Sequence, residues 1–343
     1  MNYRFVRSIE NCVGLSASSF DKVLKEGYLI YSDNNQTYTL SSITLIELNN
    51  SKIDWFDIIE NDGEYFYVFK SKLFKVDFSN LTAEVLFKTE EEALYPYTKD
   101  IISIGSSNWR TKLQNFSIIQ LPDQKLFSWE DDRELLYVSK EKIALFQNGN
   151  DGYLFAFDLI LGQENWKILL DKGISGKRYF QRVNDNRILI QKSIAVNHNK
   201  LINIDLMTGD IIWEVNNTFT YYNYDELHKK LYGIGGNIFE VIDIENGKRE
   251  SRQEISQNNL HISSHLTYFD NGLLYFSGHL KTNTPVFGAV NVNDGDLAFV
   301  QEVEFTGEKS FRNGLDKPVV VGRRLYVRDA MKNLHIYETD VQP

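Results

Sequence analysis

Apolar and polar positions alternate along most of this chain in short segments. The clearest segment reads GYLFAFDLILGQENWKI, from Gly152 to Ile168. Within it, Ala156, Asp158, Gly162 and Trp166 follow the spacing A-x-D-x-x-x-G-x-x-x-W. A period of two is typical of β-strands, and Gly, Asn or Asp interrupts the pattern roughly every 8–12 residues, as in chains of short strands. The pattern therefore predicts β-hairpins, and no long 3.6-residue period indicates helices.

Three further segments repeat this spacing with changes. LINIDLMTGDIIWEV keeps the Asp, Gly and Trp, VIDIENGKRES has Ser in place of Trp, and GAVNVNDGDLAFV has Asn and Phe as substitutes. The matching residues are Asp205, Gly209 and Trp213; Asp243, Gly247 and Ser251; and Ala289, Asn291, Gly295 and Phe299. Degenerate copies lie in LIELNNSKIDW, KLFKVDFSNLTAEVLF, FSIIQLPDQKLFSW and NLHIYETD.

The residue types of the repeat suit a tight hairpin. Asp or Asn at the end of the first strand can bond the backbone of the turn that follows. Glycine supplies the positive φ that closes a short loop. A buried Trp on the second strand removes on the order of 200 Å² from water, which suits the gap between neighbouring sheets.

A short strand stands upstream of each hairpin, and its copies predict the number of repeats. The eight copies are Tyr28–Ser32, Glu64–Phe69, Ile101–Ile104, Lys142–Gln147, Arg187–Gln191, Lys230–Ile234, Gly272–Ser277 and Arg323–Arg328. Their spacing is typical of four-stranded propeller blades. We therefore predict an all-β fold, a single β-propeller of four-stranded antiparallel blades, with eight blades favoured and seven as the alternative. Tyr3–Ile9 alternates suitably and is expected to close the ring by pairing with the C-terminal blade.

The repeat resembles the PQQ-like repeat, the tryptophan-docking sequence of quinoprotein alcohol dehydrogenases, and also the repeats of related non-enzymatic propellers. The resemblance implies one propeller domain over residues 1–343 and structural roles for the repeat residues. Quinoproteins hold their cofactor against a disulfide of adjacent cysteines and bind calcium through carboxylate and amide ligands. The chain has one cysteine, Cys12, and no residues that match that calcium set. We expect no cofactor and assign the chain to the non-enzymatic branch.

Charge and composition favour a protein partner over nucleic acid or a membrane. The formal net charge is −10, and an acidic surface disfavours nucleic acid, whose binding depends on Lys and Arg. A basic protein partner fits the charge better. The start of the chain has no secretory apolar segment, and no stretch approaches the roughly 20 apolar residues of a membrane span. We expect a cytoplasmic protein, a monomer, with no membrane partner.

Several residues carry candidate chemistry. His261 and His265 in HISSH could chelate a metal on a helix, but on a strand they lie roughly 13 Å apart, so we expect no metal site. Acidic runs at Glu90–Glu92 and Glu130–Glu134 could serve glycoside hydrolysis, although runs in loops are usually solvated. No serine lies in a G-x-S-x-G context, so we predict no enzyme and no catalytic residue.

Loops that carry recognition-type residues are the predicted binding face. Exposed Trp, Tyr and Arg are over-represented at interface hot spots, whereas the alternative is that these residues fold back over the propeller. The predicted partner-binding residues are Tyr95, Tyr97, Trp109, Arg110, His279, Lys281, Phe311, Arg312, Glu91, Glu92, Asp131 and Asp132.

Two functional hypotheses follow from these observations. The first is a non-catalytic propeller that binds another protein through its loop face, in one version a bacterial immunity protein that neutralises a basic toxin. The alternative is a carbohydrate-active enzyme or a small-ligand binder that uses the central channel, which predicts convergent carboxylates and aromatic side chains.

Overall fold

The computed structural model describes residues 3–9, 28–33, 36–41, 44–47, 58–61, 64–69, 71–77, 82–90, 93–98, 100–108, 113–121, 124–131, 133–148, 152–170, 179–184, 186–195, 198–257, 259–303, 314–331 and 333–340. The strands up to residue 169 are β1 Arg4–Ile9, β2 Tyr28–Asp33, β3 Gln36–Ser41, β4 Thr44–Glu47, β5 Ile58–Asn61, β6 Glu64–Phe69, β7 Lys72–Asp77, β8 Thr82–Lys88, β9 Ala93–Pro96, β10 Ile101–Asn108, β11 Leu113–Gln120, β12 Gln124–Asp131, β13 Arg133–Val138, β14 Ile143–Asn148, β15 Tyr153–Asp158 and β16 Gln163–Leu169. The later strands are β17 Tyr179–Arg182, β18 Arg187–Ala195, β19 His198–Asp205, β20 Ile211–Asn216, β21 Asn223–Asp225, β22 Lys230–Gly235, β23 Ile238–Asp243, β24 Arg249–Glu254, β25 Leu260–Asp270, β26 Leu273–Leu280, β27 Pro285–Asn291, β28 Leu297–Glu302, β29 Val319–Val321, β30 Arg324–Arg328 and β31 Leu334–Glu338.

Backbone proximity divides the chain into two units. The central unit is Phe56–Thr218, and the terminal unit combines Met1–Trp55 with Phe219–Pro343. The central unit holds four four-stranded antiparallel sheets, β5–β8, β9–β12, β13–β16 and β17–β20. The terminal unit holds sheets β2–β4, β21–β24 and β25–β28, and a fourth in which β29, β30 and β31 are followed by β1. Each of the eight predicted short strands falls in a different sheet, which confirms the predicted repeat of antiparallel sheets.

The turns of the repeat form as their residue types require. Asp158 Oδ1 accepts hydrogen bonds from the backbone N–H groups of Ile160 and Leu161, both at 2.8 Å. Gly162, with φ of 68°, closes the turn by donating its N–H to the Asp158 carbonyl at 2.9 Å. The Asp205 turn repeats both contacts with its own glycine, Gly209. These contacts confirm the predicted hairpin.

The register explains the alanine and tryptophan of the repeat. Ala156 on β15 lies opposite Trp166 on β16, directly before a β-bulge. Asn203 and Trp213 occupy the same positions in the next sheet, and there too a bulge follows the pair. A bulge increases the local twist of a strand, so it redirects the strand that carries the large aromatic residue. Trp166 and Trp213 are both buried.

Trp166 joins its sheet to the next one in the central unit. Its indole Nε1 donates to the backbone carbonyl of Leu206 at 2.8 Å. Gly209 lies under the ring, since a Cβ atom built at this position would come within 2.5 Å of Trp166. Glycine is therefore required at position 209 for two reasons: the backbone has a positive φ of 77°, and the indole ring needs a surface without a side chain.

The two ends of the described chain pair with each other. Strand β1 runs antiparallel to β31, from Arg4 opposite Glu338 to Ile9 opposite Leu334, which confirms the predicted pairing. Hydrogen bonds among three side chains stabilise this pairing. Ser8 Oγ lies 3.1 Å from His335 Nδ1, and His335 Nε2 lies 3.0 Å from Asp329 Oδ2. His335 and Asp329 are fully buried, so Ser8 ties β1 to a hydrogen-bonded pair in the protein interior.

Candidate functional site

The segment ALYPYT, from Ala93 to Thr98, builds the first part of the candidate site. It forms the edge strand β9, an edge position where a proline such as Pro96 is tolerated because it needs no ladder donor. The turn to β10 is closed by Tyr97 N–H, which donates to the Ile101 carbonyl at 2.9 Å. Leu94 and Pro96 are buried and Tyr95 is 55% exposed, as alternation along a strand requires.

A cavity of about 450 Å³ lies beside β9, between the sheets β9–β12 and β13–β16 of the central unit. We call it the Tyr95 pocket. Its described lining residues are Tyr95, Pro96, Tyr97, Ser103, Phe116, Trp129, Glu134, Leu135 and Leu136. The volume lies within the usual range for small-molecule sites, and a few polar groups among aromatic walls are typical of such sites.

Aromatic stacking holds one wall of the Tyr95 pocket in place. Phe116 and Trp129 stack with ring centroids 5.5 Å apart and planes 18° apart. Trp129 is buried, and its indole Nε1 donates to the Arg133 carbonyl at 3.2 Å, which links β12 to β13. The Trp129 ring also meets Phe146 edge-on at 5.0 Å. With its hydrogen bond made inside the protein, the indole presents an apolar surface.

Two polar groups give the Tyr95 pocket its electrostatic character. Burial raises the pKa of Tyr97 to about 12, a hydrogen bond with Ser103 opposes the shift, and Tyr95 and Glu134 add to it. Tyr97 is therefore a neutral phenol at physiological pH. Glu134 is exposed, and one of its carboxylate oxygens accepts a hydrogen bond from Gln147 Nε2 at 2.6 Å. Among the described lining residues, aromatic side chains stand beside one carboxylate, that of Glu134.

The structure corrects the predicted loop positions of several binding residues. Tyr95 lies in strand β9 and Tyr97 in the following turn, because the Leu-Tyr-Pro alternation extends the strand. His279 lies in β26 and only Lys281 in the turn beyond it. In the second acidic run, Glu130 and Asp131 lie at the end of β12 and Glu134 lies in β13. Of these residues, the structure brings Tyr95, Tyr97 and Glu134 together, and whether any of them binds a partner stays a prediction.

The other predicted binding residues lie outside the described residues. They are Glu91, Glu92, Trp109, Arg110, Asp132, Phe311 and Arg312. Sequence reasoning missed Trp129, Phe116 and Ser103 as lining residues. The sequence marks Trp129 as the last residue of a degenerate repeat, but its position at a pocket depends on the packing of two sheets.

Strand register gives His261 a neighbour that the sequence analysis did not consider. His261 and His265 both lie on β25, and His261 instead faces His279 across the strand pair, with ring centroids 4.8 Å apart. Burial and then the neighbouring His261 lower the pKa of His279. Among the described residues, no group of three or more His, Cys, Asp or Glu side chains could hold a metal ion.

Comparisons with known proteins identify the fold. No protein-family model and no curated protein matches this sequence. The computationally designed protein Ika8 aligns with 98% of this chain and all of its own, at a TM-score of 0.62 and 10% identity. BamB from Moraxella catarrhalis aligns with 100% of this chain and 99% of its own, at a TM-score of 0.55 and 11% identity. These likenesses support a β-propeller fold, as predicted.

The part of the chain that the structure describes forms no helix with the length and hydropathy of a bilayer span.

Proposed function

We propose that the chain is a non-catalytic, PQQ-like β-propeller with an eight-bladed ring that binds another protein through a surface around the Tyr95 pocket. The observation that carries the proposal is Tyr95 itself. A tyrosine that is 55% exposed at the rim of a cavity of about 450 Å³ supplies a large, rigid contact at small entropic cost. Residues of this type, placed beside a pocket, are characteristic of interface hot spots.

The chemistry of the pocket favours a basic group of the partner. Tyr95 offers an exposed aromatic ring at the rim of the pocket, and a Lys or Arg side chain gains about 0.5–2 kcal/mol over such a face. The Glu134 carboxylate adds an opposite charge at the same place. The net charge of −10 attracts a basic partner from a distance. An immunity protein that neutralises a basic toxin in the cytoplasm is the specific version that this charge supports.

The test uses the full chain as bait for co-purification from its native cells, with quantitative mass spectrometry. We expect one protein to be captured by the wild type and to be lost at least tenfold with Tyr95→Ala, and to a smaller extent with Glu134→Gln. Leu161→Ala is the matched control for exposure, because Leu161 is 66% exposed in the same unit but lies in the β15–β16 turn. Glu164→Gln is the charge control, since Glu164 is exposed on β16.

Capture that is equal for all four variants would place the interface elsewhere and overturn the proposal. Salt supplies a second criterion. If the partner is basic, raising the ionic strength should slow association and weaken capture, whereas an uncharged interface would be insensitive.

A second candidate function is binding of a small ligand, such as a sugar, in the Tyr95 pocket. The volume and the aromatic lining favour it. Glu134 is the single carboxylate among the described lining residues, whereas glycoside hydrolysis uses two. Ligand-observed NMR with mono- and disaccharides separates the candidates. Saturable binding that Trp129→Leu abolishes would favour the small ligand, and its absence would favour the protein partner.

A further inference from the structure

Two histidine side chains from neighbouring strands face each other in the terminal unit. His261 on β25 is the direct register partner of His279 on β26. Their ring centroids are 4.8 Å apart, and the ring planes are inclined by 44°. His261 is exposed and His279 is half-buried, so the pair is open to solvent on one side. The proposed protein-binding surface lies in the other unit and does not involve this pair.

The backbone around the pair is fixed from both sides. Ile262, next to His261, exchanges two hydrogen bonds with Gly236 in the turn between β22 and β23, at 2.9 and 2.7 Å. Gly278, next to His279, allows the two strands to approach, since a Cβ atom there would come within 2.4 Å of the His261 carbonyl oxygen. Leu260 and Ile262 are buried and hold β25 in register. The two imidazoles therefore start from a preorganised separation.

That separation matches the geometry of a shared metal ion. Imidazole nitrogens bind zinc at about 2.0–2.1 Å, so an ion that is bound by two rings lies about 3.2 Å from each ring centre. Ring centres 4.8 Å apart then correspond to a nitrogen–metal–nitrogen angle of roughly 95–100°, between square-planar and tetrahedral values. This angle applies when one nitrogen of each ring lies on the line from its ring centre to the ion.

From this geometry we infer that His261 and His279 form a two-point site for a divalent transition metal ion of the copper, nickel and zinc group. Imidazole suits these ions, and the order of affinity is expected to be copper above nickel and zinc. A structural zinc site has four protein ligands, whereas this site offers two and leaves the remaining positions to water or to a donor from another molecule. The ion is therefore exchangeable.

The test is calorimetric titration of NiCl₂ into the full chain, purified without a polyhistidine tag. We expect one saturable site. Loss of a group that only supports a metal ligand already costs about 10–100-fold in affinity, so His261→Gln and His279→Gln should each weaken binding at least tenfold. The double variant should be little weaker than either single variant, because a single remaining imidazole cannot chelate.

His265→Gln is the matched control, because His265 is an exposed histidine on the same strand, four residues from His261. It should leave the affinity unchanged. If His265→Gln weakens binding as much as the pair variants do, or if the wild type shows no saturable heat, the proposal is wrong.

NMR of the wild type keeps the test independent of whether the variants fold. On addition of one equivalent of ZnCl₂, the imidazole signals of His261 and His279 should shift together, and those of His265 should not. A shift of only one of the two signals would show single-histidine binding and would contradict the shared site.

Discussion

Trp166 in the central unit and Gln253 in the terminal unit make the same kind of contact with the turn of the sheet that follows. Trp166 Nε1 donates to the Leu206 carbonyl at 2.8 Å, and Gln253 Nε2 donates to the Asp294 carbonyl at 2.7 Å. Each side chain lies against the glycine of that turn. A Cβ atom at Gly209 would come within 2.5 Å of the indole, and one at Gly295 within 2.3 Å of the Gln253 amide.

The difference between the two contacts shows which part of the repeat carries the geometry. The third copy of the repeat has Ser251 where the tryptophan is expected, and the contact moves two residues along β24 to Gln253. The glycine turn and its carbonyl acceptor are present in both places, whereas the donor changes. What differs is the buried apolar area, since the Trp166 indole is buried whereas Gln253 is half-buried and ends in a polar amide. The contact of Trp166 should therefore be much the stronger.

The largest expected effect is that of Trp166→Ala. Replacing a buried tryptophan with alanine costs about 3–5 kcal/mol of unfolding free energy, through lost burial and a cavity. Urea denaturation monitored by circular dichroism measures it. Trp166→Phe is the matched variant, which keeps an aromatic ring and removes the donor to Leu206, and it should lose less. An alanine variant within about 1 kcal/mol of the wild type would refute the importance of the indole.

Replacing Gly209 and Gly295 with alanine, one at a time, should give the next largest losses of unfolding free energy. The two variants test both contacts. Alanine at a positive φ costs about 1–2 kcal/mol at either position. Gly209→Ala must also displace the indole, which brings the expected loss to roughly 2–4 kcal/mol. Gly295→Ala mainly meets the amide end of Gln253, which can rotate away if it gives up its hydrogen bond to Asp294, so the loss should lie between the backbone cost and that of Gly209→Ala. Equal losses in urea denaturation would mean that the indole is not held against Gly209.

Gln253→Ala should have a smaller effect. It removes one hydrogen bond between sheets, whose net contribution is about 0.5–1.5 kcal/mol. The same denaturation experiment measures the loss, with Gln257→Ala, outside the contact, as the control. A loss as large as that of Trp166→Ala would mean that the two contacts do not differ as their buried areas indicate.

Asp158→Asn should have the smallest effect, less than about 0.5 kcal/mol. The fourth copy of the repeat already has asparagine at this position, where Asn291 Oδ1 accepts from Asn293 N–H at 3.0 Å. The amide oxygen of the variant can accept from Ile160 and Leu161 in the same way. Asp158→Ala is the contrast and should lose about 1 kcal/mol, as capping residues do. A large loss for the asparagine variant would indicate that the charge of Asp158 matters.

The fold was predictable because its signals are local. Asp158, Gly162 and Trp166 define a hairpin within nine residues, and the structure confirms the turn and the buried indole. The contact of Gln253 was not predictable, because Ser251 removes the signal and nothing in the sequence marks a glutamine as its substitute.

The candidate site was predictable only in part. Tyr95 and Tyr97 stand out by residue type, but their wall partner Trp129 comes from the last strand of the sheet that begins with β9. Sequence distance places His265 nearest to His261, whereas strand register places His279 opposite it. Both outcomes depend on contacts between strands, which short-range patterns do not contain.

The pairing of β1 with β31 also has a consequence for how the chain is made. Ser8 and His335, which meet in that sheet, are 327 positions apart. At about 5–20 residues per second, a ribosome needs roughly 15–65 s to add the stretch between them. During this interval β1 has no partner strand, and an unpaired strand edge is open to pairing with other chains. A chaperone that covers β1 on the nascent chain would therefore protect a strand edge that stays unpaired for most of synthesis.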